Sequence, residues 1–212
     1  MLPESTLVLE TSGHIPSWAH FADGHPTYVA RLPQEHRRIS QSLIPSLKGS
    51  GIKLGQLTQI LIGVGPGSFS GIRVAIATAQ GLARASGATV IPLRSTAALG
   101  IRLPHITFLG IFADARRQSF FFTAYENGRL SRPTAVYPNS DLETMLSKCS
   151  LAVTTDGLAG VPQMETPDAE SLYRAYRQHG VESSLALEPV YLHPAVTSQY
   201  DGSDSGTTGS AS

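Results

Sequence analysis

The sequence predicts an α/β protein made of two similar halves. Three short strands open the chain and are followed by a helix, a strand and a second helix. The same order of elements starts again near residue 105. Hydrophobic periodicity is the main signal for these elements, and glycine or proline pairs mark the turns between them. The two halves share this order but no residue-by-residue repeat.

In the first half, apolar runs bounded by turn residues predict five strands. These strands cover residues 6–12, 17–22, 27–32, 56–65 and 89–93. Ile39, Leu43 and Leu47 recur at helical spacing, which predicts a helix over 34–48 that is kinked by Pro45.

The clearest helix covers residues 68–86, where an apolar stripe runs along one side. Ser68 or Ser70 is expected to cap its first turn, because serine hydroxyls accept hydrogen bonds from free amides there. Gly87 follows the last apolar position, as is typical of the residue that ends a helix.

The second half gives the same pattern with weaker signals. The predicted strands cover residues 105–113, 119–125, 133–137 and 150–154. The predicted helices cover a short stretch near 95–101, then 140–148 and 168–179.

Three meandering strands followed by strand–helix units are the element order of a ribonuclease-H-like lobe. Two such lobes in tandem make the two-lobed actin-like (ASKHA) fold, which we expect here by analogy of element order. We place the N-terminal lobe at 1–102 and a smaller C-terminal lobe at 103–198. Residues 199–212 are rich in Gly, Ser and Thr, and we expect a disordered tail there.

The amino-acid composition limits the classes of function that this chain can have. The 212 residues include 16 basic and 16 acidic side chains, so no overall positive field exists to hold a phosphate backbone. Charged residues are only 15% of the chain, which favours a face kept apolar for a partner. A single cysteine, Cys149, cannot form an internal disulfide, and no signal peptide or membrane-length apolar run is present. We therefore expect a cytoplasmic protein without membrane contact.

The most distinctive motif is GVGPGSFSGIR at 63–73, where a strand passes through a Gly-Pro-Gly turn into a helix. It fits neither a Walker loop, nor a dinucleotide fingerprint, nor a nucleophile elbow. Two interpretations remain: a structural turn with an N-cap, or a ligand contact through glycines and helix amides. The candidate ligand residues are Gly65, Gly67, Ser68 and Gly71.

Two acidic strand ends, Glu10 and Asp114, occupy places where actin-like ATPases hold phosphate with glycine-containing hairpins. The hairpin after Asp114 contains no glycine, so amides for a phosphate nest are missing. The seven histidines include no pair spaced for a metal on one helix face. We predict no catalytic residue, metal or cofactor. The alternative is a divergent ATPase or kinase-like enzyme that uses Glu10 and Asp114.

Small residues line helix 68–86 on two sides, one through Ala75, Ala79 and Ala83, the other through Ala77, Gly81 and Ala85. Small residues permit close helix approach. One side of this helix should pack against the sheet of this chain. The other side, together with the apolar stripe on 34–48, is a candidate partner surface. The alternative is that other parts of this chain cover both sides. The predicted interface residues are Ile39, Leu43, Leu47, Ile72, Ala75, Ile76, Ala79 and Ala83. Replacing Ala79 with Arg is expected to block partner binding and leave the fold intact.

Three consecutive stretches carry a family resemblance. They are GPGSFSGIRVAIATAQGLA (65–83), LRSTAAL (93–99) and DARRQSFFFTAY (114–125). Together they resemble the TsaB (YeaZ) family over roughly residues 5–125, and YLHPAV at 191–196 resembles a segment near the family's C-terminus. The chain has Leu9-Glu10-Thr11 where the family usually has Ile-Asp-Thr.

This resemblance implies an actin-like protein without activity of its own. It would be a scaffold that dimerises with a TsaD-like paralogue, which transfers threonylcarbamoyl to adenosine 37 of tRNA. A TsaE-like ATPase would act on the complex, and the chain would contact tRNA only indirectly, as part of this complex. The family's interface is a helical bundle that maps onto 34–48 and 68–86. A homodimer through the same surface, or self-association without a modification role, is a further alternative.

Overall fold

The computed structural model describes residues 4–33, 39–181 and 185–190. Within them the strands are β1 (Ser5–Glu10), β2 (Ser17–Ala22), β3 (His25–Arg31), β4 (Gln59–Gly63), β5 (Thr89–Leu93), β6 (Leu109–Arg116), β7 (Ser119–Glu126), β8 (Arg129–Pro138), β9 (Leu151–Thr154) and β10 (Gln163–Met164). The helices are α1 (Ile39–Gly49), α2 (Phe69–Ser86), α3 (Ala97–Arg102), α4 (Leu142–Leu146) and α5 (Ala169–His179).

The strands form two five-stranded sheets with the same topology. The first has the order β3-β2-β1-β4-β5 and the second the order β8-β7-β6-β9-β10. In each sheet the first three strands run antiparallel, and the last two are parallel to the central one. The predicted tandem ribonuclease-H-like, actin-like architecture is therefore confirmed.

Most elements lie where the sequence predicts them, and the differences have local causes. The strand predicted over 56–65 is only Gln59–Gly63, because residues 54–56 form a 3-10 turn. The strand predicted from 105 begins at Leu109, since Ile106 closes a turn onto the carbonyl of Leu103. The two-residue β10 was not predicted. The predicted start of the first helix, the YLHPAV segment and the tail at 199–212 lie outside the described residues.

α1 and α2 cover one face of the first sheet. Alternation along β1 points Leu7 and Leu9 into this layer, where they meet Leu43 of α1 and Ile72 of α2. All four side chains are at most 2% exposed. The helices thus bury their apolar stripes against this sheet and against each other.

α5 covers the opposite face of the first sheet, although it follows the second sheet in sequence. Val8 of β1 faces this layer, and the ring of Phe21 stacks on Tyr173 with centroids 3.6 Å apart. Asp168 caps α5 by accepting from the Ser171 amide at 2.8 Å, and Arg102 of α3 donates to the same carboxylate at 3.0 Å. The C-terminal part of the chain is therefore tied back onto the first sheet.

α3 is shared between the two sheets. Ala98 packs in the core beneath α5, while Leu99 packs against Leu109 and Ile111 of the second sheet. The other face of the second sheet is an aromatic layer of Phe112, Phe120 and Phe122. No helix in the described ranges is both long and apolar enough to cross a membrane.

Replacing Asp168 with Ala should lower the free energy of unfolding by about 1–2 kcal/mol, because α5 loses its N-cap and Arg102 loses an ion-pair partner. Urea unfolding followed by circular dichroism measures the change. Gln178→Ala, at an exposed position in the last turn of α5, is the control and should change little. Equal midpoints for wild type and Asp168→Ala would contradict this role.

Candidate functional site

A cavity of about 290 Å³ opens where the two sheets approach each other. Its walls come from the turn after β1, the start of α1 with Ile39 and Ser42, the N-terminus of α2 and the turn after β9. The turns after β1 and β9 each follow a strand of a parallel pair, one in each sheet, and both line this cavity. The lining is rich in hydroxyl groups: Thr11, Ser12, Ser42, Ser68, Ser70 and Thr155.

The glycine-rich turn packs directly on the turn after β1. A side chain at Gly67 would overlap the carbonyl oxygen of Ser12, and one at Gly71 would overlap that of Thr11. Gly65 and Gly67 also have positive φ angles of 100° and 149°. The chain itself therefore requires these glycines, for turn geometry and for close backbone contact.

Ser68 fixes the start of α2. Its amide donates to the Ser12 carbonyl at 2.7 Å, and its hydroxyl accepts from the Gly71 amide at 3.3 Å. The predicted N-cap is thus Ser68, and Gly87 ends the helix in the left-handed region as predicted. Of the four candidate ligand residues, Ser68 and Gly71 line the cavity, whereas Gly65 and Gly67 are not among its lining residues.

Glu10 is fully buried beneath this site. One carboxyl oxygen accepts from the amide and the hydroxyl of Ser12, at 2.8 and 2.5 Å, while Oε2 has no hydrogen-bond partner within the described residues. Gly63 leaves room for that oxygen, since a Cβ there would overlap it. Burial raises the pKa of Glu10 above its ordinary value, and the hydrogen bonds from Ser12 only partly oppose this.

The second acidic strand end, Asp114, lies in a hairpin with its own partners. Its carboxylate accepts from the Arg116 amide at 2.7 Å and pairs with the Arg116 guanidinium at 2.9 Å. Its own amide donates to Asp156 at 2.8 Å. Glu10 and Asp114 thus have partners within their own turns. Within the part of the chain that is described, no group of three His, Cys, Asp or Glu side chains is arranged to hold a metal.

The predicted interface stripe lies mostly inside the molecule. Of its eight residues, six are at most 8% exposed and belong to the core under α1 and α2: Leu43, Leu47, Ile72, Ala75, Ile76 and Ala79. Ile39 and Ala83 are partly buried against the same core. The stripe therefore covers the sheet of this chain.

The outward side of α2 carries the second small-residue line. Ala77, Gly81 and Ala85 are exposed there, together with Arg73 and Arg84. The expectation that Ala79→Arg leaves the fold intact is wrong, because Ala79 is fully buried and an arginine there would enter the core. Ala77 is the alanine on the exposed side of the same helix that corresponds to Ala79 on the buried side.

Sequence reasoning missed Thr155 and Asp156 as cavity residues. Thr155 and Asp156 directly follow a strand of a parallel pair, which is the one signal that could have singled them out. Their position opposite Thr11 depends on how the sheets meet.

Comparisons with known proteins point to tRNA threonylcarbamoyladenosine biosynthesis proteins. Residues 25–147 match the family model described as TsaD, tRNA N6-adenosine threonylcarbamoyltransferase. The chain is 37% identical to the tRNA threonylcarbamoyladenosine biosynthesis protein TsaB of Haemophilus influenzae, over 90% of this chain and 94% of that protein. An uncharacterized Mycobacterium leprae protein is 30% identical over 55% of this chain and 34% of its own length.

Solved structures share the fold. YeaZ from Pseudomonas aeruginosa superposes with a TM-score of 0.64 at 24% identity, covering 89% of this chain and all of the other. A second P. aeruginosa structure, described as an uncharacterized protein with similarity to peptidase YeaZ, gives a TM-score of 0.62 at 23% identity over 90% of this chain and 100% of that one.

Glu10→Gln should change how stability depends on pH. The folded protein binds the Glu10 proton more tightly than the unfolded chain, so wild-type stability falls as pH rises from 4.5 through the folded-state pKa. Gln does not titrate, and the variant should gain stability relative to wild type over this range. His20, whose pKa burial lowers, titrates in both proteins and cancels in the difference.

Urea unfolding at several pH values measures this difference. The same substitution at the exposed Glu143 controls for the loss of a surface charge. A stability difference between Glu10→Gln and wild type that stays constant with pH would contradict the raised pKa.

Gly71→Ala and Gly81→Ala should act in opposite directions on one helix. The added methyl at 71 overlaps the Thr11 carbonyl and should destabilise the fold by about 1–3 kcal/mol. At 81 it meets no atom within 4 Å and should stabilise by about 0.5–1 kcal/mol through helix propensity. Thermal or urea unfolding compares them; equal effects would show that the contact with Thr11 is unimportant.

Proposed function

This chain belongs to the TsaB (YeaZ) family, and from that premise we propose that it is a non-catalytic subunit required for threonylcarbamoylation of adenosine 37 in tRNA. It dimerises with a TsaD-like transferase and activates it. A TsaE-like ATPase joins through the complex, and tRNA is contacted indirectly, in the cytoplasm. The observation that carries the proposal is the sequence identity to a TsaB protein along nearly the whole chain.

The acidic strand ends support a scaffold rather than an ATPase. Glu10 is buried against Ser12, and burial favours its neutral form, which is a poor metal ligand. Asp114 pairs with Arg116 of the same hairpin. Neither carboxylate is among the residues that line the cavity between the sheets.

The partner surface that we propose is the outer surface of α2, defined as Arg73, Ala77, Gly81, Arg84 and Ala85. All five residues are exposed on consecutive turns. The three small ones let a second helix approach closely. The two arginines flank them and favour a partner helix with acidic side chains. Beside this surface, Phe69 is 47% exposed under the Arg73 guanidinium, at 5.2 Å from its ring centroid.

The test is co-elution with a TsaD-like protein of the same organism, with light scattering to give the mass. Wild type should form a heteromeric species, and Ala77→Arg should abolish it, because a long charged side chain keeps the two helices apart. Thr144→Arg, which adds the same charge at an exposed position of α4, should co-elute like wild type.

Thermal melts of both variants should match wild type, since both positions are exposed. Two unshifted peaks for wild type would overturn the heterodimer. A homodimer that Ala77→Arg dissociates would assign the surface to self-association instead. Calorimetry with ATP on the isolated chain completes the test, because nucleotide binding that Glu10→Gln abolishes would favour an enzyme.

A further inference from the structure

A second cavity, of about 890 Å³, lies where the helix layer on the first sheet ends. Its walls come from the first residues of β1, the end of β2, the start of β3 and the segments that follow α1 and α2. We call it the His20 cavity, after the buried histidine in its wall. It shares no lining residue with the cavity between the sheets, and its volume is typical of small-molecule pockets.

Two polar side chains of this wall occupy a sheet face that otherwise belongs to the apolar core. Leu7 and Leu9 of β1 face the helix layer, and strand alternation places Ser5 on the same face. His20 pairs with Leu7 across β1 and β2, so it faces the same side, and it is only 7% exposed. Polar groups at such positions need hydrogen-bond partners, which here come from one another.

His20 lies between two hydroxyl groups. Its Nε2 is 2.9 Å from Oγ of Ser5, and its Nδ1 is 2.5 Å from Oγ1 of Thr27. The Thr27 hydroxyl donates its proton to the His20 carbonyl oxygen at 3.3 Å, so it accepts from Nδ1–H. Nε2 is then the unprotonated nitrogen, and it accepts the proton of Ser5. A serine nucleophile, a general base and a residue that orients the base have this arrangement.

The surroundings suit nucleophilic chemistry at Ser5. Burial lowers the pKa of His20 below its ordinary value, so the ring is neutral at neutral pH and accepts a proton. Thr58 fixes the backbone of Ser5, because its hydroxyl accepts from the Ser5 amide at 2.9 Å and its amide donates to the Ser5 carbonyl at 2.8 Å. Lys53 and Gln56 line the same cavity and carry N–H donors of the kind that stabilise an oxyanion.

We propose that Ser5 is an acyl-accepting nucleophile and that the His20 cavity hydrolyses small carboxylic esters. The Ser5 oxygen attacks the ester carbonyl carbon, and its proton passes to Nε2 of His20. The tetrahedral intermediate expels the alcohol, which takes that proton, and the acyl group stays on Ser5. Water then gives a proton to His20 and adds to the acyl carbon, the acid is released, and Ser5 regains its proton.

The lining indicates the class of ester. Ala22, Ile52 and Leu57 contribute apolar surface beside the polar groups, which favours a short apolar acyl chain. The His20 cavity is separate from the outer surface of α2, and this activity goes beyond the scaffold function.

The test is labelling of the full chain with a fluorophosphonate, together with hydrolysis of p-nitrophenyl butyrate. An activated serine displaces fluoride from the probe, and mass spectrometry of the N-terminal peptide should place the phosphonyl group on Ser5. Ser5→Ala should abolish this label and the hydrolysis. His20→Gln should slow both at least about a hundredfold, the contribution of a general base. Ser140→Ala, at an exposed serine, is the matched control and should react like wild type.

Thr27 is a positioning residue in this proposal, and its variants test the base independently. Thr27→Val should slow the labelling of Ser5 about tenfold, because His20 loses the hydrogen bond that orients it. Thr27→Ser keeps the hydroxyl and should restore the wild-type rate. Thr27 is exposed, so both variants should keep the fold.

Thermal melts separate lost reactivity from lost structure. Ser5→Ala removes one half-buried hydroxyl and should melt within about 4 °C of wild type. Three outcomes overturn the proposal: no phosphonyl group on Ser5, hydrolysis that Ser5→Ala leaves unchanged, or labelling that neither His20→Gln nor Thr27→Val slows. Each of them would assign the three side chains to the stability of the sheet alone.

Discussion

The close contact between the start of α2 and the turn after β1 is the constraint on which the rest of the first half depends. Two glycines permit it, because side chains at Gly67 and Gly71 would overlap carbonyl oxygens of Ser12 and Thr11. The Ser68 amide then bonds to Ser12, whose own amide and hydroxyl hold Glu10. Because its N-terminus is fixed in this way, α2 packs its apolar side against the sheet. The small-residue line through Ala77, Gly81 and Ala85 stays exposed.

The second constraint is the way the chain returns to the first sheet. α5 comes after the second sheet, yet it packs on the first through the stacked rings of Phe21 and Tyr173. α3 contributes Ala98 to the core of one sheet and Leu99 to the core of the other. The walls of the cavity between the sheets therefore belong to segments far apart in sequence, and α3 is a helix that packs in the cores of both sheets.

The polar groups near the cavity between the sheets bear on the proposed function. The two carboxylates at the strand ends, which could in principle bind a metal–nucleotide complex, interact with residues of their own turns. Glu10 accepts hydrogen bonds from Ser12, and Asp114 forms an ion pair with Arg116. The Oγ1 atoms of Thr11 and Thr155 are buried and have no hydrogen-bond partner among the described residues.

The sequence by itself determined the element order, the fold, the end of α2 at Gly87 and the family, and it narrowed the N-cap of α2 to Ser68 or Ser70, because periodicity, turn glycines and a specific motif are local properties of the chain. Only the tertiary structure decided which side of α2 is covered. Both of its small-residue lines have the same spacing, and the sheet buries the line through Ala75 and Ala79. The placement of Thr155 opposite Thr11 also came from the tertiary structure alone, since long-range packing sets how two sheets meet and no spacing in the sequence encodes it.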